Sequence, residues 1–253
     1  NINKKYRHLI RTVNQLNNFS PIAHDIFNLN QRTFEKKFIC AMSRISDSRK
    51  KIYNFILNNN LETSFFYSYN AREILVNSDY INEPKLPLER YLNIPFTDSD
   101  RAEWATYKFQ VNSVVNIVSE TLFSNKERQF FITEKTFRAI SMGQPFVMVS
   151  KSNTLELLKK YGFKTFSEFW DESYDNEIDD TKRFKMICDL ILNLNKKSIK
   201  ELSDIYKRII PILEHNYQNL ISLDRYYEFH PRYNFNKISI FEHNAVDYIN
   251  QIK

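Results

Sequence analysis

The sequence predicts an α/β fold: a Rossmann-like parallel sheet with helices on both faces, followed by C-terminal helices. Two observations predict it. Short apolar runs, Phe38–Met42, Val111–Ser119 and Phe146–Val149, alternate with longer stretches whose apolar residues recur every three or four positions. Only two glycines occur in 253 residues, Gly143 and Gly162, and both fall within one 20-residue stretch. A chain so poor in glycine keeps one where the backbone demands it, at a helix end or a tight turn. Loop, helix, glycine stop and buried strand in succession is the unit that binds phosphates in α/β folds.

The elements follow in order. Residues 4–17 can form a short basic helix with Tyr6, Ile10, Val13 and Leu16 on one face. Phe38–Met42 reads as a buried strand, and Ser43–Ser48 as a turn rich in helix-capping residues. Ile52, Phe55 and Ile56 then give a helical stripe that ends at Asn58–Asn60. Thr63–Tyr69 is aromatic and strand-like. Asn70–Asp100, with Pro84, Pro87 and Pro95, reads as an irregular connection holding one short helix.

Val111–Ser119 is the second convincing strand and Phe146–Val149 the third. Between them Thr133 is placed to cap a helix that Gly143 closes. Asn153-Thr-Leu-Glu156 has capping-box spacing ahead of Leu155, Leu157 and Leu158, in a helix ending at Gly162. Beyond residue 180, Phe184, Ile187, Cys188 and Ile191 form one helical stripe. Leu202, Ile205, Tyr206, Ile209 and Leu213 form another. The expected division is an N-terminal helical segment over 1–34, a Rossmann-like domain over 35–180 and a C-terminal helical segment over 181–253 that packs back on it.

Composition sets bounds. Hydrophobic residues make up 42% and aromatics 15%, which is a globular composition. No apolar run has the length needed to span a bilayer, and Asn1–Arg7 has no apolar signal region. A first residue other than Met suggests a trimmed chain. Cys40 and Cys188 sit in apolar patterns and read as buried free thiols, which fits a reducing, cytoplasmic setting. The net charge of +6 permits an anionic partner such as a nucleotide or DNA. The lysine and asparagine usage of an AT-rich genome accounts for it equally well.

Chemistry concentrates at Thr133-Glu134-Lys135-Thr136. A helix start leaves backbone N–H groups without intrahelical partners, and its dipole favours an anion. Lys135 adds a full positive charge, and Glu134 has the reach to accept from ribose or sugar hydroxyls. An ordinary capped helix with exposed charges fits the same spacing.

The tract Val115–Val149 resembles the donor-binding half of GT-B glycosyltransferases, above all the α1,3-fucosyltransferase family. Its hallmark runs strand, E-N-S, a short aromatic loop, then T-E-K and a helix leading to a further strand. Thr133, Glu134 and Lys135 match the T-E-K residue for residue. Glu120 stands at the strand-end glutamate, flanked by Ser119 and Thr121 in place of the usual residues. Lys37–Ala41 with Arg49 resembles that family's strand and arginine ahead of the donor-site helix. Gly162–Phe166 and Asp171–Asp175 are similar to segments of virus- and bacteria-encoded glycosyltransferases.

The resemblance spans about residues 36–180. It implies that Lys135 and Arg49 contact a donor diphosphate and that Glu134 and Glu120 contact hydroxyls. It also implies that the nucleoside diphosphate departs without a metal, and no cofactor is expected. Arg44, on the same strand-end loop as the turn before Arg49, and Thr136 complete the candidate donor site. GT-B enzymes carry a preceding acceptor-binding half, whereas only about 35 residues precede the first strand here. That half is reduced, cut away or supplied by another chain. His24 and Asp25 are the nearby base candidates, and a helix-cap role suits them better, so no catalytic base is assigned.

Other patterns point elsewhere. Glu168–Asp180 holds seven carboxylates and no Lys or Arg, but lacks calcium-loop spacing. It reads as a solvated loop that caps the next helix at Asp179 or Asp180. The five histidines are scattered without zinc spacing, and no nucleophile elbow, P-loop or glycine-rich dinucleotide motif occurs. Asp224–Phe235, basic and aromatic, reads as a packing strip. The expected function is transfer of a sugar from a nucleoside-diphosphate donor to an acceptor hydroxyl, on a glycan or similar molecule. The alternatives are a transferase acting on a modified base in DNA, and a non-catalytic degenerate transferase serving as a structural or nucleic-acid-binding module.

Overall fold

The computed structural model describes residues 29–42, 46–69, 109–126 and 132–229. The expected helix over 4–17, the connection over 70–100, His24, Asp25 and Arg44 lie outside them. Four strands, β1 (Lys36–Ala41), β2 (Phe65–Ser68), β3 (Ser113–Ser119) and β4 (Phe146–Val149), form one sheet in the order β2-β1-β3-β4. All pairings are parallel. The helices are α1 (Asp47–Asn58), α2 (Glu134–Ser141), α3 (Thr154–Lys160), α4 (Asp180–Asn195) and α5 (Ile199–Phe229). The parallel α/β sheet expected from the alternation of elements is present.

Every residue of β2, β3 and β4 is buried, as a parallel sheet covered on both sides requires. Residues in register share a face, and alternate residues on a strand point opposite ways. Phe38, Cys40, Phe65, Tyr67 and Ile117 therefore line one face. Ile39, Phe66, Asn116, Phe146 and Met148 line the other. Tyr53 of α1 lies 6.3 Å from the Tyr67 ring and stacks on Tyr69 at 4.5 Å. Thr136 of α2 touches the Met148 sulfur at 3.7 Å. Helices α1 and α2 thus cover opposite faces, as predicted.

The order 2-1-3-4 reverses direction between β1 and β3. Connections leave the adjoining carboxyl ends of these two strands for opposite faces, which opens a crevice there. The C-terminal helices close the fold. Helix α5 packs against α2 and reaches β3 and β1, while α4 packs against β4. Arg32 and Tyr206 converge on the turn after α2: Arg32 donates to the Met142 and Gly143 carbonyls, and the Tyr206 hydroxyl donates to the Gly143 carbonyl at 2.8 Å.

Both glycines sit at left-handed turns that follow helices, with φ of 54° at Gly143 and 80° at Gly162. Cys40 and Cys188 are free and buried, and burial pushes each thiol up to about 12. At neutral pH neither is a thiolate.

One local expectation is corrected. The capping box Asn153–Glu156 does not form: Asn153 is left-handed, with φ of 62°, and its side chain caps nothing. Asp175 caps α3 from a distance, accepting from Leu155 N at 3.0 Å and Glu156 N at 3.1 Å. The acidic run is therefore only partly solvated. Glu172 is buried too and accepts from Phe166 N, and burial raises the carboxyl pKa of both residues. In the same run the Tyr174 hydroxyl accepts from Met148 N at 3.1 Å, covering the open edge of β4. The cap expected at Asp179 or Asp180 is made by Asp179, which accepts from Thr181 and Lys182.

A methyl group at Gly143 would stand 2.7 Å from a terminal carbon of Leu29, itself in the core, at a φ that side chains rarely adopt. Gly143→Ala is expected to lower stability by about 1–2 kcal/mol. Urea denaturation of the whole chain measures it, and an unchanged midpoint would show that neither the strain nor the contact matters.

Candidate functional site at the carboxyl ends of the central strands

Strand β3 ends with two consecutive polar residues, and the pleat sends them to different sides. Ser119 shares the α1 face with Ile117, whereas Glu120 turns to the α2 face and continues the ladder by donating its N–H to the Val149 carbonyl at 3.0 Å. The Glu120 side chain has no exposed surface. Its Oε1 accepts from Thr133 N at 2.9 Å and the Thr136 hydroxyl at 2.6 Å, and its Oε2 accepts from the Thr133 hydroxyl at 2.6 Å.

A buried carboxylate is expensive unless hydrogen bonds satisfy it. Here three donors from the first turn of α2 do so, and the positive end of the helix dipole lies beside them. The interaction also settles where α2 begins. Thr133 is the N-cap anticipated from the sequence, with extended backbone and its hydroxyl accepting from Lys135 N at 3.4 Å. Lys135 Nζ turns back to the same hydroxyl, at 2.9 Å.

The candidate residues thus have distinct places. Thr133, Lys135, Thr136 and Glu120 come together at the start of α2. Glu134 opens that helix, its side chain lying outside the described residues. Arg49 sits in the first turn of α1 on the opposite face of the sheet, buried, with a charge felt by the Cys40 thiol at the end of β1. Its N–H donates to the Ser46 cap at 3.4 Å. The two helix starts therefore flank the crevice between β1 and β3. The resemblance assigned sugar or ribose hydroxyls to Glu120. As placed, its oxygens face protein donors, because the carboxylate lies beneath the helix start and not on the crevice surface.

Sequence reasoning missed Arg183. It lies on the buried stripe of α4 with Ile187, Leu190 and Leu194, and an arginine in that register was the one available signal. Its guanidinium is sandwiched at the carboxyl edge of the sheet. It donates to the Phe123 carbonyl after β3, to the Ser150 carbonyl after β4 at 3.0 Å and to the Glu177 carbonyl at 2.9 Å. It also stands 4.4 Å above the Phe123 ring and pairs with Asp180 at 2.7 Å. Burial alone would raise the Asp180 carboxyl pKa, but bonds from Ser124, Asn125 and Arg183 outweigh it and hold the group below its usual range. Among the described residues no cluster of three or more His, Cys, Asp or Glu side chains is arranged to hold a metal. None of their helices is long and apolar enough to cross a membrane.

Glu120→Ala would leave three buried donors without an acceptor, and the expected loss is on the order of 3 kcal/mol or more. Glu120→Gln keeps the shape and one acceptor and should lose less; equal losses in urea denaturation would discount the hydrogen bonds. Arg183→Leu should cost about 2–4 kcal/mol, since it leaves the Phe123, Ser150 and Glu177 carbonyls without that donor and takes one partner from Asp180, which keeps Ser124 and Asn125. The Asp180 part of that difference is expected above about pH 4, the unfolded carboxyl value, and to vanish as pH falls through the lower folded value. A difference unchanged by acid would remove Asp180 from the account.

Compared with protein-family models, curated proteins and solved structures, the chain matches none at significance.

Proposed function

We propose that this chain is the donor-binding part of a metal-independent glycosyltransferase. A nucleoside-diphosphate sugar would lie in the crevice between β1 and β3, and its sugar would pass to an acceptor hydroxyl. The observation that carries this reading is the anchored start of α2 at the carboxyl end of β3, with the Lys135 ammonium tethered there by Thr133. Arg49 in the first turn of α1 provides a second cation on the other side of the same topological switch. The T-E-K resemblance points to the same residues.

In the transfer, the bond from the anomeric carbon to the diphosphate oxygen breaks and the acceptor oxygen takes its place. Negative charge accumulates on the departing diphosphate, and preorganised cations stabilise it without a metal. Lys135 and Arg49 fill that role, with Arg44 assigned to the same loop side. Glu134 is assigned the ribose or sugar hydroxyls. Glu120 and Thr136 brace the helix start, since their polar atoms bond each other.

Titration with GDP, UDP, ADP, CDP and dTDP, followed by thermal denaturation, tests the reading. One nucleotide should stabilise the chain by about 2.7 kcal/mol at ~100 times its dissociation constant. Lys135→Ala should bind it at least tenfold more weakly, because a charge-assisted contact to phosphate is lost. Equal affinity in the variant would sink the assignment of Lys135. A chain that responds to none of the five would mean a missing half or a retired site, and would put the non-catalytic binding module ahead of this reading.

A further inference from the structure

We propose that Thr133 is a positioning residue that presents Lys135 to the ligand, with Glu120 setting the direction of its hydroxyl. The role rests on the reading of Lys135 as a diphosphate contact. A threonine hydroxyl has one proton to donate and two lone pairs to accept with. Glu120 Oε2 takes the proton at 2.6 Å, so both lone pairs turn away from the carboxylate toward the helix start. There they receive Lys135 N at 3.4 Å and Lys135 Nζ at 2.9 Å. A simple N-cap needs only the first of these bonds.

The second bond folds a flexible four-carbon side chain back over its own helix start. The buried negative charge of Glu120 lies one hydroxyl away and favours the ammonium in that position through the polarised O–H. Glu120 thereby does two things at once. It occupies the anion-favouring end of α2 from below, and it fixes a cation above that end. An external phosphate is then met by a positioned ammonium and not by a bare helix start. Thr136, which shares Glu120 with Thr133, has no bond to the lysine and serves as the internal control.

The test uses the whole chain and begins without a ligand. An amine-acylating reagent is applied to wild type, Thr133→Val, Thr133→Ser and Thr136→Val, and modification of Lys135 is followed by peptide mass spectrometry with exposed Lys182 as reference. Thr133→Val should accelerate acylation of Lys135 several-fold, Thr133→Ser should restore the wild-type rate, and Thr136→Val should leave it unchanged. No acceleration in Thr133→Val overturns the tether. Equal acceleration in Thr136→Val overturns it too, by assigning the effect to fraying of α2.

The same four proteins are then titrated with the five nucleoside diphosphates. Thr133→Val should bind about fivefold more weakly, the factor expected for one net hydrogen bond, and Thr133→Ser should bind as wild type. Binding unchanged in Thr133→Val, with Lys135 released, overturns the positioning role alone. A wild type that binds none of them, with the acylation pattern as expected, overturns the donor reading while the tether stands.

Discussion

One buried carboxylate governs the candidate site. Glu120 ends the central strand β3 with no exposed surface, and both threonines at the start of α2, Thr133 and Thr136, are bonded to it. Water is excluded from its oxygens, so the donors must come from protein, and the first turn of α2 supplies all three. The helix start is therefore tied to the end of the strand by a group that cannot relax without stranding a charge. That constraint gives Thr133 its orientation and Lys135 its place.

A second buried charge holds the surrounding loops. Arg183 gathers the segment after β3, the segment after β4 and the acidic stretch before α4 by donating to a carbonyl in each. Loops at the carboxyl edge of a parallel sheet have few partners of their own, since the sheet ladder stops beneath them. A guanidinium with five donors in a fixed fork suits this task better than an ammonium. The two buried charges act on neighbouring ground: Glu120 anchors one helix start, and Arg183 anchors the loops beside it.

Much of this was legible from short-range pattern. The runs Phe38–Met42 and Phe146–Val149 read as strands because β-branched, aromatic and methionine residues crowd into lengths too short for helices. The turns at Gly143 and Gly162 were legible because glycine takes a left-handed φ most readily, the sequence has only two, and both adopt it. Thr133 and Asp179 were legible as caps because each accepts from residues two or three ahead of it. Asn153 failed by the same logic. Its local capping box lost to Asp175, which the tertiary fold brings to α3 from 20 positions away. At Pro211 the longer pattern prevailed: the stripe from Leu202 to Leu213 predicts a helix across it, and α5 runs through it with Ile209, Ile210 and Leu213 buried on either side, although a proline inside a helix removes a backbone bond.

The order of polar and apolar residues along the chain determined which segments are strands and helices, where most helices start and stop, and that Thr133, Glu134 and Lys135 open one of them. These features depend on neighbours within about four positions, and local spacing encodes them. Tertiary structure alone decided the strand order, and with it the placement of the crevice between β1 and β3. It alone decided that Glu120 turns inward to Thr133 and Thr136, and that Arg183 spans three loops. Those outcomes depend on which distant donors and acceptors burial forces together. No spacing along the chain encodes that, because the partners are chosen by the need to leave no charge unsatisfied once water is gone.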